Sequence, residues 1–118
     1  MNPTIEWRSM KDHRYLVLHF DGHFSAENAR SAISTISSMI RMTEQKIIMV
    51  WECTGMAGFD IAAREAWQLF IKDISSKIEK IHLVSNKLVI RSGAVVVGIF
   101  AGIKISSWAT LDELNAHV

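Results

Sequence analysis

Ile47-Ile48-Met49-Val50-Trp51 is followed by Glu52-Cys53-Thr54-Gly55-Met56-Ala57-Gly58-Phe59 and then by Asp60-Ile61-Ala62-Ala63. The first run is short, almost wholly apolar and uninterrupted, as in a central strand covered on both faces. Gly55 and Gly58 punctuate the second run and predict a loop. Asp60 stands where an N-cap opens a helix, its carboxylate suited to accept an orphan amide N–H. Helix N-termini carry partial positive charge and free donors, so a strand–loop–helix passage is where α/β proteins commonly place a functional site.

Outward from this passage, hydrophobic period alternates between two and about 3.6 residues. Ile5 to Met10 alternates apolar with polar, Lys11 to Arg14 is a polar turn, and Tyr15 to Phe20 follows, predicting a hairpin closed by Asp21-Gly22. Ser25 is placed to cap a first helix from about Ala26 to Met42, with Ala29, Ile33, Ile36 and Ile40 as its apolar stripe. Asp60 opens a second helix reaching to about Lys77, and Lys80 to Ser85 reads as a buried strand. Leu88 to Gly102 is too long for an ordinary strand, and Ala94, Gly98 and Gly102 recur every fourth residue. It reads as a third helix with a face flattened for close packing. Ile103 to Trp108 alternates as a last strand, and Thr110 caps a short closing helix with Asp112 and Glu113 in its first turn. The order is β-β-α-β-α-β-α-β-α: one α/β domain over residues 1–118, with a mixed, mostly parallel sheet of about five strands and about four helices.

Composition excludes several classes. The net charge of +1 argues against a dedicated nucleic-acid binder, although six basic residues meet two acidic ones between Lys72 and Lys104. The lone Cys53 excludes an internal disulfide framework and a cysteine-rich metal site. Met1 to Arg8 has no apolar signal core, so cytoplasmic residence is expected. Arg91 interrupts the apolar Leu88–Ile103 segment, leaving twelve uncharged residues, Ser92 to Ile103. A spanning helix needs about 20, so integral membrane insertion is not expected.

The element order, together with Gly58 to Arg64, Lys80 to Ser85 and Trp108 to Leu114, resembles the STAS domain, in particular its SpoIIAA-like (STAS/Sec14-like) branch. The resemblance spans almost the whole chain. It implies a module in which phosphorylation of a serine, one residue after an aspartate at the start of the second helix, switches partner binding. With Asp60 aligned to that aspartate, Ile61 occupies the serine position, and neither it nor Ala62 and Ala63 can accept phosphate. Thr54 is the nearest preceding hydroxyl but does not match the motif; a local backbone bond in the loop accounts for it.

No catalytic constellation emerges. Cys53 lacks a neighbouring histidine in sequence and reads as a small buried hydrophobe. His19 and His23 straddle a strand end without a third ligand, so no metal is expected, and no cofactor motif is present. Gly55 and Gly58 lack the Lys-Ser/Thr of a phosphate loop and are expected to serve the turn. The second helix is apolar over more than one face through Ala63, Trp67, Phe70, Ile71 and Ile74. Exposed apolar area of that kind marks a partner surface or a groove. In the family resembled, this helix contributes to partner binding. The expected function is therefore non-enzymatic: binding of a protein partner or a second copy through the second helix and the Leu88–Gly102 region. Thr54, Gly55, Phe59, Asp60, Arg64, Trp67 and Ile71 are the candidate partner or ligand surface. The alternative is carriage of an apolar or amphipathic, lipid-like small molecule in a groove between the second and third helices. An enzyme using Cys53, His82 or Asp60 ranks last.

Overall fold

The computed structural model describes residues 2–118; Met1, where the sequence-defined domain starts, lies outside the described residues. The elements are β1 (Thr4–Met10), β2 (His13–Phe24), α1 (Ala26–Arg41), β3 (Ile47–Phe59), α2 (Ile61–Asp73), a 3₁₀ turn (Ser75–Lys77), β4 (Ile78–Val84), α3 (Leu88–Ala101), β5 (Ile105–Trp108) and α4 (Leu111–His117). Lys11 and Asp12, both at positive φ, form the two-residue turn joining β1 antiparallel to β2. His13 and Arg14, expected in that turn, already belong to β2.

The sheet order is β1-β2-β3-β4-β5, with every pair after the first parallel. Each crossover therefore advances one strand in the same direction. Right-handed crossovers then place α1, α2 and α3 on one face. Leu16 and Leu18 of β2, Met49 and Trp51 of β3, and Ile81 and Leu83 of β4 point to that face and join the α1–α3 side chains in the main core. The opposite face carries Tyr15, Val17, Val50 and Val84, and α4 closes over them through Leu114 and Leu111. The short closing helix thus covers part of a second sheet face, which explains why β2, β3 and β4 are apolar on both sides.

Caps follow the sequence at two helices. Ser25 Oγ accepts from Asn28 N at 3.1 Å, and Thr110 Oγ1 accepts from Glu113 N at 3.1 Å. Gly98 packs as expected: a Cβ there would lie 2.8 Å from the Ile103 carbonyl oxygen. Gly102 belongs to a different device. Its φ of 74° makes it the left-handed residue that ends α3.

The largest departure concerns the glycine-bearing segment. Glu52 to Phe59 is strand, not loop, and β2 does not end at Asp21-Gly22. The two strands run on together as a parallel ribbon, with Asp21 opposite Gly55, His23 opposite Gly58 and Phe24 opposite Phe59, across two register shifts. Gly22, at φ 70°, lies at one shift. Gly55 lies in extended strand rather than in a turn, and a Cβ there would lie 2.7 Å from Oδ1 of the exposed Asp21 side chain.

Candidate functional site

The ribbon delivers His23 and Asp60 side by side at the entrances of α1 and α2. Asp60 occupies the N-cap position of α2, yet its side chain makes no capping bond to that helix. Its Oδ1 lies 2.7 Å from His23 Nε2, and its Oδ2 accepts from Ala26 N, the first amide of α1, at 3.3 Å. The carboxylate thus stitches the neighbouring helix to the strand tip and corrects the simple N-cap expectation. The hydrogen bond to His23, with the Ala26 amide, holds the Asp60 carboxyl below its usual range.

Between α2 and α3 lies an open cavity of about 50 Å³. Its wall is almost entirely apolar. Phe20 and Phe24 come from β2, Trp51 and Cys53 from β3, Trp67 from α2, and Ile90 and Val97 from α3. The rings organise around Trp67, whose centroid lies 6.0 Å from Phe20, 5.7 Å from Phe24 and 5.9 Å from Trp51. Phe59 sits at the cavity beside Gly93, where a Cβ would come within 2.9 Å of its Cζ. Arg64 is the one charged residue of the lining. Burial, reinforced by the charge of Glu52, pushes the Cys53 thiol well up, so it is a neutral, small wall residue rather than a nucleophile.

Of the seven residues expected on a surface, Phe59, Arg64 and Trp67 meet at this cavity. Trp67 and Ile71 are not on the surface: they are 4% and 0% exposed and belong to the core. Helix phase explains the correction, because Ala63, Trp67, Phe70 and Ile71 form the single buried stripe of α2. The large apolar residues that α2 leaves outside are Ile61 and Leu69. Thr54 is exposed on β3, its amide and hydroxyl both donating to Glu52 Oε2. Gly55 faces Asp21, and neither residue reaches the cavity. Trp51, Phe20 and Phe24 were not singled out from sequence. The available signal was their spacing, since Phe20 and Trp51 share the apolar phase of two adjacent strands.

A second feature is the outer surface of α3. Leu88, Val95 and Ile99 form one exposed row, and Val89, Val96 and Phe100 another; Leu88 and Ile99 are 79% and 77% exposed. The inner row, Ile90, Ala94, Val97 and Ala101, is buried. Lys87 Nζ donates to Met56 O at 2.7 Å and Arg91 Nε to Ser85 O at 2.7 Å, anchoring the start of this helix. Lys72 Nζ lies 4.9 Å above the Phe100 ring.

The sheet's second face holds polar chemistry of another kind. His19 stands between Glu6 and Glu52, 3.4 Å from an oxygen of each. His82 is buried against Tyr15 and Trp108, its Nδ1 accepting from Trp108 Nε1 at 3.0 Å. Burial, with the charges of Lys80 and His117, lowers its pKa to about 4. Among the described residues, no group of three or more His, Cys, Asp or Glu side chains is arranged to hold a metal ion. Among them, too, no helix is long and apolar enough to cross a membrane.

The architecture has a counterpart among solved structures. An uncharacterized protein of the DUF3478 family from Shewanella loihica PV-4, described as having a SpoIIAA-like fold, superposes with a TM-score of 0.77, covering 95% of this chain and 89% of its own. The chain has the SpoIIAA-like fold. At 12% sequence identity the match concerns the fold alone. No protein-family model matches the chain, and no curated protein matches it. Within the SpoIIAA-like frame, the His23–Asp60 pair lies at the start of the second helix, where Ile61 is 67% exposed.

Proposed function

We propose that this chain is a non-enzymatic, SpoIIAA-like interaction module that binds a protein partner or a second copy of itself through the outer face of α3. The carrying observation is the exposure of six large apolar side chains, Leu88, Val89, Val95, Val96, Ile99 and Phe100, on one helix of 14 residues. A contiguous apolar patch of this kind favours burial against another molecule. Helix phase alone does not require it, because α3 already commits a complete inner row to the core. In this reading, no phosphate switch operates at the second-helix entrance, since Ile61 offers no hydroxyl there. Sedimentation velocity over a range of concentrations, on wild type and Ile99→Glu, tests self-association. Concentration-dependent growth abolished by the substitution supports pairing. A monomer at all concentrations that also retains no partner from its source cell contradicts the reading. A monomer that instead floats with anionic vesicles would transfer the same face to a membrane surface.

A second reading, carriage of a small apolar molecule, is favoured by the cavity between α2 and α3. Its aromatic wall and open mouth match the general form of small-ligand sites. Native mass spectrometry of protein purified from its source tests for a co-purifying ligand. Absence of such a ligand, together with no uptake of a fluorescent fatty acid, would remove this reading.

A further inference from the structure

The cavity between α2 and α3 opens onto the apolar outer face of α3. Most of its lining is buried, whereas Phe59, Arg64 and Gly93 are half-buried and so form its rim. Val89, Val96 and Phe100 stand four residues before, three after and seven after Gly93, which places them on one stripe of the helix with it. All three are exposed, so apolar surface runs unbroken past the rim. The cavity's 50 Å³ is about a third of the ~150 Å³ that admits a benzene ring. That is room for the end of one aliphatic side chain, and a pocket beside an apolar patch is how interfaces seat an anchor residue. Charge narrows the partner further. Arg64 stands at the rim, Lys72 Nζ lies 4.9 Å above the Phe100 ring, Lys87 and Arg91 flank the start of α3, and Lys104 follows its end. No acidic residue occurs in α3; α2 carries Glu65 and Asp73, the latter about 100° round the helix from Lys72. Pairing two copies through this face would set its cations against one another. A lipid bilayer presents no single side chain to fit the pocket.

We propose that the cavity and the adjoining stripe of α3 seat an acidic protein segment, which inserts one Leu-, Ile- or Met-sized side chain and flanks it with carboxylates. The proposal rests on the interaction reading: it names the partner's chemistry and assigns the cavity to that partner rather than to a free small molecule. The anchor leaves water for a wall of rings and aliphatic carbon. The carboxylates meet the cations around the rim, where solvent still reaches. Burial of the anchor then carries the affinity, while the charges set orientation and speed encounter.

The test selects a phage-displayed library of random peptides on the wild-type chain and measures synthetic copies of the enriched sequences by calorimetry. Ala94 is in the cavity wall, so Ala94→Leu fills the pocket, Ala94→Val fills it less, and Lys72→Glu reverses one charge beside it. Circular dichroism and urea midpoints check that each variant folds. Enriched peptides are expected to carry net negative charge around one Leu, Ile or Met and to bind more weakly as salt rises. They should lose at least about tenfold in affinity on Ala94→Leu and about threefold on Lys72→Glu. Peptides without net negative charge, or peptides that bind the folded Ala94 variants as tightly as wild type, would overturn the proposal and leave the interaction reading intact. Failure of any peptide to enrich would overturn it too; the interaction reading falls separately, on the sedimentation and partner-retention result. Self-association abolished by Ile99→Glu would seat a second copy on this face and overturn the acidic partner. Flotation with anionic vesicles in the absence of peptide binding would overturn it in favour of a membrane.

Discussion

Acidification should destabilise this protein through His82. The imidazole is packed on the second sheet face between Tyr15 and Trp108, and its neutral form is held by the Trp108 N–H on Nδ1. Protonation would place a charge in that site, near Lys80 and His117, and would remove the acceptor on which Trp108 depends. The folded pKa of about 4 lies below the ordinary value of 6.5, so the fold favours the neutral ring. The associated stability is complete above pH 6.5 and is lost as pH falls from there toward 4. Each pH unit in that window costs about 1.4 kcal/mol, which gives roughly 2 kcal/mol at pH 5 and roughly 3 kcal/mol below pH 4. Urea unfolding between pH 7.5 and 4.5 measures it, with His82→Asn as reference because its amide oxygen can still accept from Trp108. Wild type should lose about 2 kcal/mol more than the variant between pH 7 and pH 5. Parallel pH profiles for the two proteins would refute the argument that burial keeps this ring neutral.

Asp60 has the opposite relation to acid at a lower pH. Its carboxyl is depressed below 3.8, so its contribution is present above that value and disappears as pH falls through the lower folded pKa. Asp60→Asn should therefore flatten the acid limb of the unfolding curve below about pH 4, and backbone amide exchange at Ala26 should accelerate. Gly98→Ala should cost roughly 1–3 kcal/mol by forcing α3 away from the Ile103 carbonyl. Gly58→Ala, whose added Cβ meets nothing nearer than His23 Nδ1 at 3.6 Å, should fold with a urea midpoint close to that of wild type. Trp67→Ala should lose roughly 3–5 kcal/mol, as expected for an aromatic side chain removed from a core. A surface tryptophan would lose far less in the same urea titration.

Much of this architecture is legible in the sequence because each element declares its period. The wholly apolar Ile47–Trp51 run, the stripe Ala29, Ile36 and Ile40, and the caps Ser25 and Thr110 all lead to the observed elements. The Glu52–Phe59 segment misleads because glycine has two uses. A residue chosen for a flexible backbone and one chosen for the absence of a Cβ look identical in sequence. Gly55 lies in extended strand, and only the structure shows the Asp21 side chain across the ribbon where a Cβ would go. Asp60 misleads for a related reason, since its capping target is the helix beside it rather than the one it begins. The site is less legible than the fold. Trp67 and Ile71 mark the right helix but its buried stripe, and Arg64 and Trp51 share a cavity wall that nothing in their sequence separation announces. The apolar surplus of Leu88–Gly102 was visible, whereas its division into a buried inner row and two exposed outer rows depends on how α3 sits on the sheet.

The most direct measurement of the interaction claim is site-specific photo-crosslinking in extract of the source cell. A diazirine-bearing side chain replaces Ile99 on the outer face of α3 in one protein and His13 on the second sheet face in another. The account predicts a discrete adduct from position 99, with a second copy or with another protein, and none from position 13. Adducts from position 13 alone, or from neither position, would contradict binding through α3.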